Sequence, residues 1–392
     1  MRVKEKNITP IRDNKKGLLL GVFIFCLALL VFLPPLARGP ELSLPVEKAH
    51  QVSDHFDGHV FFNPGFPQPS LSLPGNPSNR GVFWYAWRWL FNNDRPEWPE
   101  IKNFLPGPPP TARVPPGALR ITPVGHSTFL IQMDGFNILT DPMWSKRCSP
   151  VSWAGPKRHK PPGIRFEDLP PIDVVLVSHN HYDHLDLRTL KRLADKGTPQ
   201  AVVPLGNLEI VRETGIPTVD EIDWWQSISL SPKVKITLVP ARHFSARTPW
   251  DHNKTLWGGF VISGPSGNVF FSGDTGYGPH FQEIARRFSP IRVAMLPISP
   301  FRPQQSKAPF PPQFSMFHMG PREAVRAHID LNAGLSLAAH FQVFQLGWDG
   351  FDDAVHELAS ALKERNLKPD AFIAPAPGKA IDLTSAFSPG TS

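Results

Sequence analysis

Cysteine is almost missing from this chain: two residues in 392, Cys26 and Cys148. Cys26 lies inside an apolar N-terminal run and Cys148 stands alone in the body, so no disulfide can staple the globular part, and the redox compartment stays open. The neighbourhood of Cys148, SKRCSPVSW, offers no base to activate a thiol nucleophile. Runs of lysine or arginine are absent from the body, which argues against a nucleic-acid partner; of the net charge of +7, +4 falls before residue 17. Internal repeats are also missing. A hydrophobic fraction of 41% with 19% charged residues excludes disorder throughout and fits a globular enzyme of one large or two ordinary domains.

What is present begins with residues 17–33, GLLLGVFIFCLALLVFL, a charge-free run behind a basic stretch. Counted on to Ala37 it reaches 21 residues, enough for about 30 Å of hydrocarbon at about 1.5 Å per residue. The pattern predicts an uncleaved signal anchor over residues 17–37, with the basic tail cytoplasmic and a single-pass enzyme body on the extracytoplasmic side. The alternative is a secreted or periplasmic protein after signal cleavage. Residues 38–117 are rich in Pro and Gly and carry the aromatic block from Phe83 to Phe91; they read as an extension that packs on the domain or rests on a bilayer.

The chemistry concentrates in residues 172–184, IDVVLVSHNHYDH. Ile172 to Val177 reads as a buried strand, and His179, His181, Asp183 and His184 follow where it stops. Three imidazoles and a carboxylate this close would be costly to bury unpaired, and zinc binds this donor set well. From residue 118 strands and loops alternate. Strands are predicted at Ala118–Val124, Thr128–Met133 and Phe136–Thr140 about an Asp134-Gly135 turn, then at Ala201–Pro204 and Val234–Pro240. Further strands are predicted at Trp257–Ser263, Asn268–Ser272, Val293–Ile298, Leu335–Ala339 and Ala371–Ala374. Helices are predicted at Arg188–Lys196, Leu208–Thr214, Arg322–Leu331 and Phe351–Glu364. His243, Asp274 and His340 each stand just after an apolar strand, as the motif loop does. Strand ends of one sheet converge on one rim, so seven donors are expected to meet there. Asp141 and His126 stand open between orienting a ligand imidazole and capping a turn.

These residues resemble the metallo-β-lactamase superfamily, whose motif His-x-His-x-Asp-His reads here as His179-Asn180-His181-Tyr182-Asp183-His184. Within it the chain is similar to the N-acylphosphatidylethanolamine-hydrolysing phospholipase D family, through GHSTFLIQMDGFNILTDPMWSKRCSPVSWAGPKRHKPP, ARHFSARTPWDHNKTLWGGF, FFSGDTGYGPHFQEIARRFSP and HMGPREAVRAHIDL. The resemblance implies an α/β fold, an αββα four-layer sandwich over residues 118–380 followed by a flexible tail at 381–392. It implies two Zn2+ ions per chain: His179, His181 and His243 on one, Asp183, His184 and His340 on the other, Asp274 bridging them and His318 positioning substrate. Phe317 stands where a polar residue is expected.

The activity it implies is hydrolysis of N-acylphosphatidylethanolamine-like membrane phospholipids to N-acylethanolamine and phosphatidic acid, by a hydroxide shared between the metals. Its expected partners are the phospholipid and the bilayer, with a homodimer as the candidate assembly. Two alternatives stand: a sugar-phosphate lactonase or other phosphodiesterase with a soluble substrate, and a membrane-tethered metal-binding scaffold without turnover.

Overall fold

Alternation along one short strand shows how the fold sorts its side chains. Val174 and Leu176 lie in an apolar cluster with Ile131, Leu238 and Phe260, whereas Val175 and the following Val177 lie in another with Leu190, Leu193 and Val203. Successive strand residues face opposite sides, so a strand that is apolar on both is buried on both and belongs to an inner layer.

The computed structural model describes residues 51–65, 95–248, 250–301 and 316–384. Its first sheet holds β1 (Leu119–Gly125), β2 (Thr128–Met133), β3 (Phe136–Thr140), β4 (Val174–Leu176), β5 (Gln200–Pro204) and β6 (Thr218–Ile222), in that order. The second holds β7 (Ser227–Ser231), β8 (Val234–Val239), β9 (Gly259–Gly264), β10 (Gly267–Phe271), β11 (Ile291–Pro297), β12 (Ala333–Ala339) and β13 (Phe372–Ile373). A last strand, β14 (Ile381–Asp382), returns to the first sheet beside β1. The β1–β2–β3 and β7–β8–β9–β10 runs are antiparallel, and β3 to β6 and β10 to β13 are parallel.

Helices α1 (Leu187–Lys196) and α2 (Leu208–Arg212) bury Leu190, Leu193 and Val211 on the outer face of the first sheet. On the second sheet, α3 (His280–Phe288), α4 (Pro321–Asp330) and α5 (Asp353–Glu364) bury Phe281, Ile284, Ala324 and Leu358 against Val261, Phe270 and Leu296. The order is therefore helix, sheet, sheet, helix, and the two-sheet α/β architecture is the expected one. The β2–β3 turn has Asp134 at φ 52° and Gly135 at φ 90°, the left-handed pair that a two-residue turn matched to strand twist requires.

Several elements differ from the sequence-based expectation. β4 has three residues rather than six. Strands β6 and β7 and helix α3 were not expected. β6 and β7 are edge strands, half exposed and mixed in polarity, so they lack the apolar run that marks a buried strand. Of the tail expected to be flexible over residues 381–392, the first residues continue the sheet: Ile381 and Asp382 pair with Ile121 and Arg120, and the Leu383 N–H donates to the Leu119 carbonyl at 2.8 Å, while residues 385–392 lie outside the described residues. Among the described residues no helix is long and apolar enough to cross a membrane. The anchor expected over residues 17–37 and the aromatic block from Phe83 to Phe91 lie outside the described residues.

Residues ahead of β1 enter the core. Phe56 and Phe61 join the cluster between the sheets, and the Trp98 indole N–H donates to the Asp349 carbonyl at 2.7 Å. Buried His55 stacks on Trp224 with ring centroids 4.3 Å apart, and its two ring nitrogens reach Asp54 at 2.6 Å and Asp223 at 2.7 Å. Burial opposes protonation of His55, but the hydrogen bonds to Asp223 and Asp54 outweigh it and raise its pKa above the ordinary value. A raised folded-state value means the ion pair stabilises fully below about pH 6.5 and fades as pH rises through the raised value. The expected outcome is that His55→Asn lowers the melting temperature more at pH 6 than at pH 9, measured by calorimetry; an equal drop at both would show that the stack alone matters.

Candidate metal centre

The rim of the sandwich collects the residues that follow strand ends. His126 follows β1, Asp141 follows β3, the motif loop follows β4, His243 follows β8, Asp274 follows β10 and His340 follows β12. His126, Asp141 and His340 hold positive φ values of 58°, 33° and 60°. Residues with a side chain seldom adopt that conformation, and it concentrates at sites whose surroundings over-determine it. Here the His340 N–H donates to the His126 carbonyl at 3.0 Å, and the Asp141 N–H to the Leu176 carbonyl at 2.8 Å.

Three imidazole nitrogens converge first. His179 Nε2 lies 2.9 Å and His243 Nε2 lies 3.1 Å from His181 Nδ1. The network assigns the tautomers. His243 Nδ1 faces the Phe317 carbonyl at 3.0 Å and must carry its proton there, leaving Nε2 as a lone pair. Ser178 Oγ donates to Asp141 at 2.6 Å, so it accepts from His179 Nδ1 at 2.9 Å, and His179 Nε2 is a lone pair as well. His181 Nδ1 can donate to only one of them. Burial, aided by the neighbouring imidazoles, pushes His179 well below its ordinary pKa; burial likewise takes His181 to about 4 and His243 to about 3. Neutral imidazoles with converging lone pairs are metal ligands in waiting, and a tetrahedral ion with bonds of about 2.0 Å would set such nitrogens roughly 3.3 Å apart.

A second set lies beside the first. Asp183 Oδ2 is 3.1 Å from His340 Nε2 and 3.2 Å from His184 Nε2; Asp274 Oδ2 is 3.1 and 3.3 Å from the same two nitrogens. His184 Nδ1 donates to Asp141 at 2.6 Å, so as a neutral ring its Nε2 lone pair would point at two carboxylates. A proton or a cation must sit between them. Without a metal, the carboxylates of Asp274, Asp183 and Asp141 overcome the burial that opposes charge and raise His184 well above the ordinary imidazole range. Asp274 also groups with His179 and with His243 in donor sets small enough for one ion, and its Oδ1 is buried without a hydrogen-bond partner. One carboxylate thus faces both sets. The donors and their orphaned atoms fit divalent cations.

All seven donors expected from the sequence are brought together here. His126, left open by the sequence, places Nε2 2.9 Å from Asp183 Oδ2 and shares that oxygen with His340. Asp141 orients His184 as described. His318 Nδ1 stands 3.7 Å from Asp274 Oδ2. Phe317, where a polar residue is expected, meets the site through its carbonyl, which accepts from His243 Nδ1 at 3.0 Å. Besides Ser178, which fixes the His179 tautomer, two further supporting residues were not anticipated. Asn63 donates to the His243 carbonyl at 2.8 Å and accepts from its N–H at 3.2 Å, across 180 positions that no local pattern could link. Arg247 braces the motif loop through the Asn180 and Leu185 carbonyls at 2.7 and 2.9 Å, with its guanidinium 4.1 Å from the Tyr182 ring centroid.

The beta-lactamase superfamily domain matches residues 136–341, which include this donor set apart from His126. The chain belongs to the metallo-β-lactamase superfamily. It is 36% identical over 271 residues to an uncharacterised protein of Mycobacterium tuberculosis, covering 68% of this chain and 69% of that one. It is 30% identical over 360 residues to the N-acyl-phosphatidylethanolamine-hydrolyzing phospholipase D 1 of Caenorhabditis elegans, covering 86% and 94%. A solved structure, a possible metal-dependent hydrolase from Veillonella parvula, matches with a TM-score of 0.52 at 16% identity over 68% of this chain and all of that one, a likeness of fold alone. As a member of this superfamily the protein is a metal-dependent hydrolase, and the alternative of a scaffold without turnover falls away.

Two substitutions test the centre. Asp274→Asn removes charge facing both donor sets and is expected to lose bound metal and activity together, by elemental analysis after dialysis and by turnover; full metal content with normal turnover would reject the shared role. Asp141→Asn keeps the shape but weakens the grip on His184, and metal affinity is expected to fall about 10- to 100-fold.

Proposed function

We propose that the enzyme is a zinc-dependent phosphodiesterase of phospholipase D type that cleaves N-acylphosphatidylethanolamine-like phospholipids, releasing an N-acylethanolamine and phosphatidic acid. The observation that carries this reading is the span of the likeness to the nematode phospholipase D, which takes in 86% of this chain and 94% of that enzyme. An imidazole and carboxylate donor set suits zinc, and the two adjacent donor sets suit a pair of ions. In this reading His179, His181 and His243 hold one ion and Asp183, His184 and His340 the other, with Asp274 between them. When bound, such ions would supply acidified water near neutral pH and positive charge opposite a phosphoryl group.

The chain's own residues then position and shield. Asp274 keeps the two donor sets in register, and Asp141, Ser178 and the Phe317 carbonyl hold ligand rings in the lone-pair-inward tautomer. His318, beside Asp274, positions the substrate. The rings of Phe244 and Phe317, 5.1 Å apart, stand against His181 and His243 and keep bulk water from that side of the centre. Residues 17–37 are proposed to hold the enzyme at the bilayer where its substrate lies.

Zinc-loaded full-length protein should release phosphatidic acid and N-acylethanolamine from N-acylphosphatidylethanolamine in detergent micelles, lose that activity to a chelator and regain it with added zinc. Turnover of a sugar-phosphate lactone or a soluble phosphodiester with no phosphatidic acid released would replace this reading by a soluble-substrate hydrolase.

A further inference from the structure

The loop from Asp141 to Gly163, whose first residue reaches the metal centre, also lines a second recess. A cavity of about 510 Å³ lies between residues 100–106, this loop and α1, and none of the centre's donors lines it. That volume is within the range of small-molecule sites, about 300 to 1,000 Å³. Its walls are apolar at Trp144, Pro162, Ile164 and Phe166, with the Trp144 and Phe166 rings edge to face at 5.7 Å.

Its charge is one-sided. Six cations line it against two carboxylates, and both carboxylates are already engaged: Glu100 pairs with Lys157, and Glu167 with Arg192 at 3.0 Å. Arg165 pairs with Asp168 at 2.6 Å. Lys102 and Lys146 have no ion-pair partner among the described residues. The Arg158 guanidinium donates to the carbonyls of Met143 at 2.7 Å and Ser145 at 3.1 Å and lies 4.7 Å from the Phe344 ring centroid. Three positive groups with no carboxylate paired to them, although Asp186 acts on Arg158 from farther off, border an apolar recess and ask for an anion of more than one charge. A phosphate monoester carries about −1.5 to −2 at pH 7, where a carboxylate carries one charge. The apolar walls ask for a hydrocarbon body behind it.

We propose that this cavity is a second ligand site, separate from the metal centre, that takes a phosphate-headed amphiphile: Lys102, Lys146 and Arg158 meet the phosphate, and Trp144, Ile164 and Phe166 cover the apolar part. The site does not depend on the substrate assigned to the metal centre.

Monomeric dihexanoyl phosphatidic acid titrated calorimetrically into the zinc-loaded enzyme tests it, alongside the exposed double variant Lys102→Glu/Lys146→Glu. The expected result is a binding component that weakens at least tenfold in the double variant while metal content and melting temperature stay unchanged. Binding at the metal centre persists in that variant, so only the component lost on charge reversal belongs to the cavity. Trp144→Phe should remove the fluorescence change that accompanies the same component. Dihexanoyl phosphatidylcholine, which has no net charge, and inorganic phosphate, which has no apolar body, are both expected to bind at least tenfold more weakly than the phosphatidate. Unchanged affinity in the double variant would overturn the site. Equal binding of phosphatidylcholine would overturn the role of the cations, and equal binding of inorganic phosphate would reduce the cavity to a free-phosphate site.

Discussion

Lone pairs that converge in a dry space must be met by positive charge, and the rim of this sandwich is arranged around that requirement. His179 and His243 turn unprotonated nitrogens toward His181, and the Asp183 and Asp274 carboxylates crowd His184 and His340 within 3.3 Å. Burying such groups uncompensated would cost several kcal/mol per charge. The proximity is tolerable where protons or cations sit among them, and the tautomers imposed by Ser178 on His179 and by the Phe317 carbonyl on His243 favour a cation at the three-histidine set.

The scaffold answers the same requirement. The ends of six strands, β1, β3, β4, β8, β10 and β12, deliver His126, Asp141, the motif loop, His243, Asp274 and His340 to one rim, so the donors are carried by the paired sheets. Three of the delivered residues hold left-handed backbone, and cross-bonds such as His340 to His126 keep them there. The strands that lead into them, β1, β3 and β12, are paired on both sides and buried where they approach the rim, which holds that conformation in place. Ahead of the sheets, Asn63 clips the backbone of His243, which makes residues once read as an extension into a support of the centre.

Charge is distributed to match. The centre balances its carboxylates with imidazoles, whereas the recess behind the Asp141–Gly163 loop has cations in excess and apolar walls. Both sites lean on one loop: Asp141 starts it at the centre, and Arg158 ties its middle to the Met143 and Ser145 carbonyls.

Much of the fold was legible because buried strands carry apolar runs and the motif loop concentrates its donors within six positions. β2 and β3 were bounded to the residue, since their turn and patterning agree. The edge strands β6 and β7 and the pairing of Ile381 and Asp382 were not, because half-exposed strands carry no strong period and their partners lie far away in the chain; helix α3 was missed although Phe281 and Ile284 give it an amphipathic face, since it is only nine residues long. By itself the sequence determined which residues could bind a cation and that each followed a strand, for donor type and periodicity are local properties. Only the tertiary structure decided which nitrogen of each histidine faces inward, that His126 shares Asp183 with His340, and that Asn63 grips His243. Those facts depend on hydrogen bonds between segments as much as 180 positions apart, whose geometry exists only once the two sheets have closed on each other.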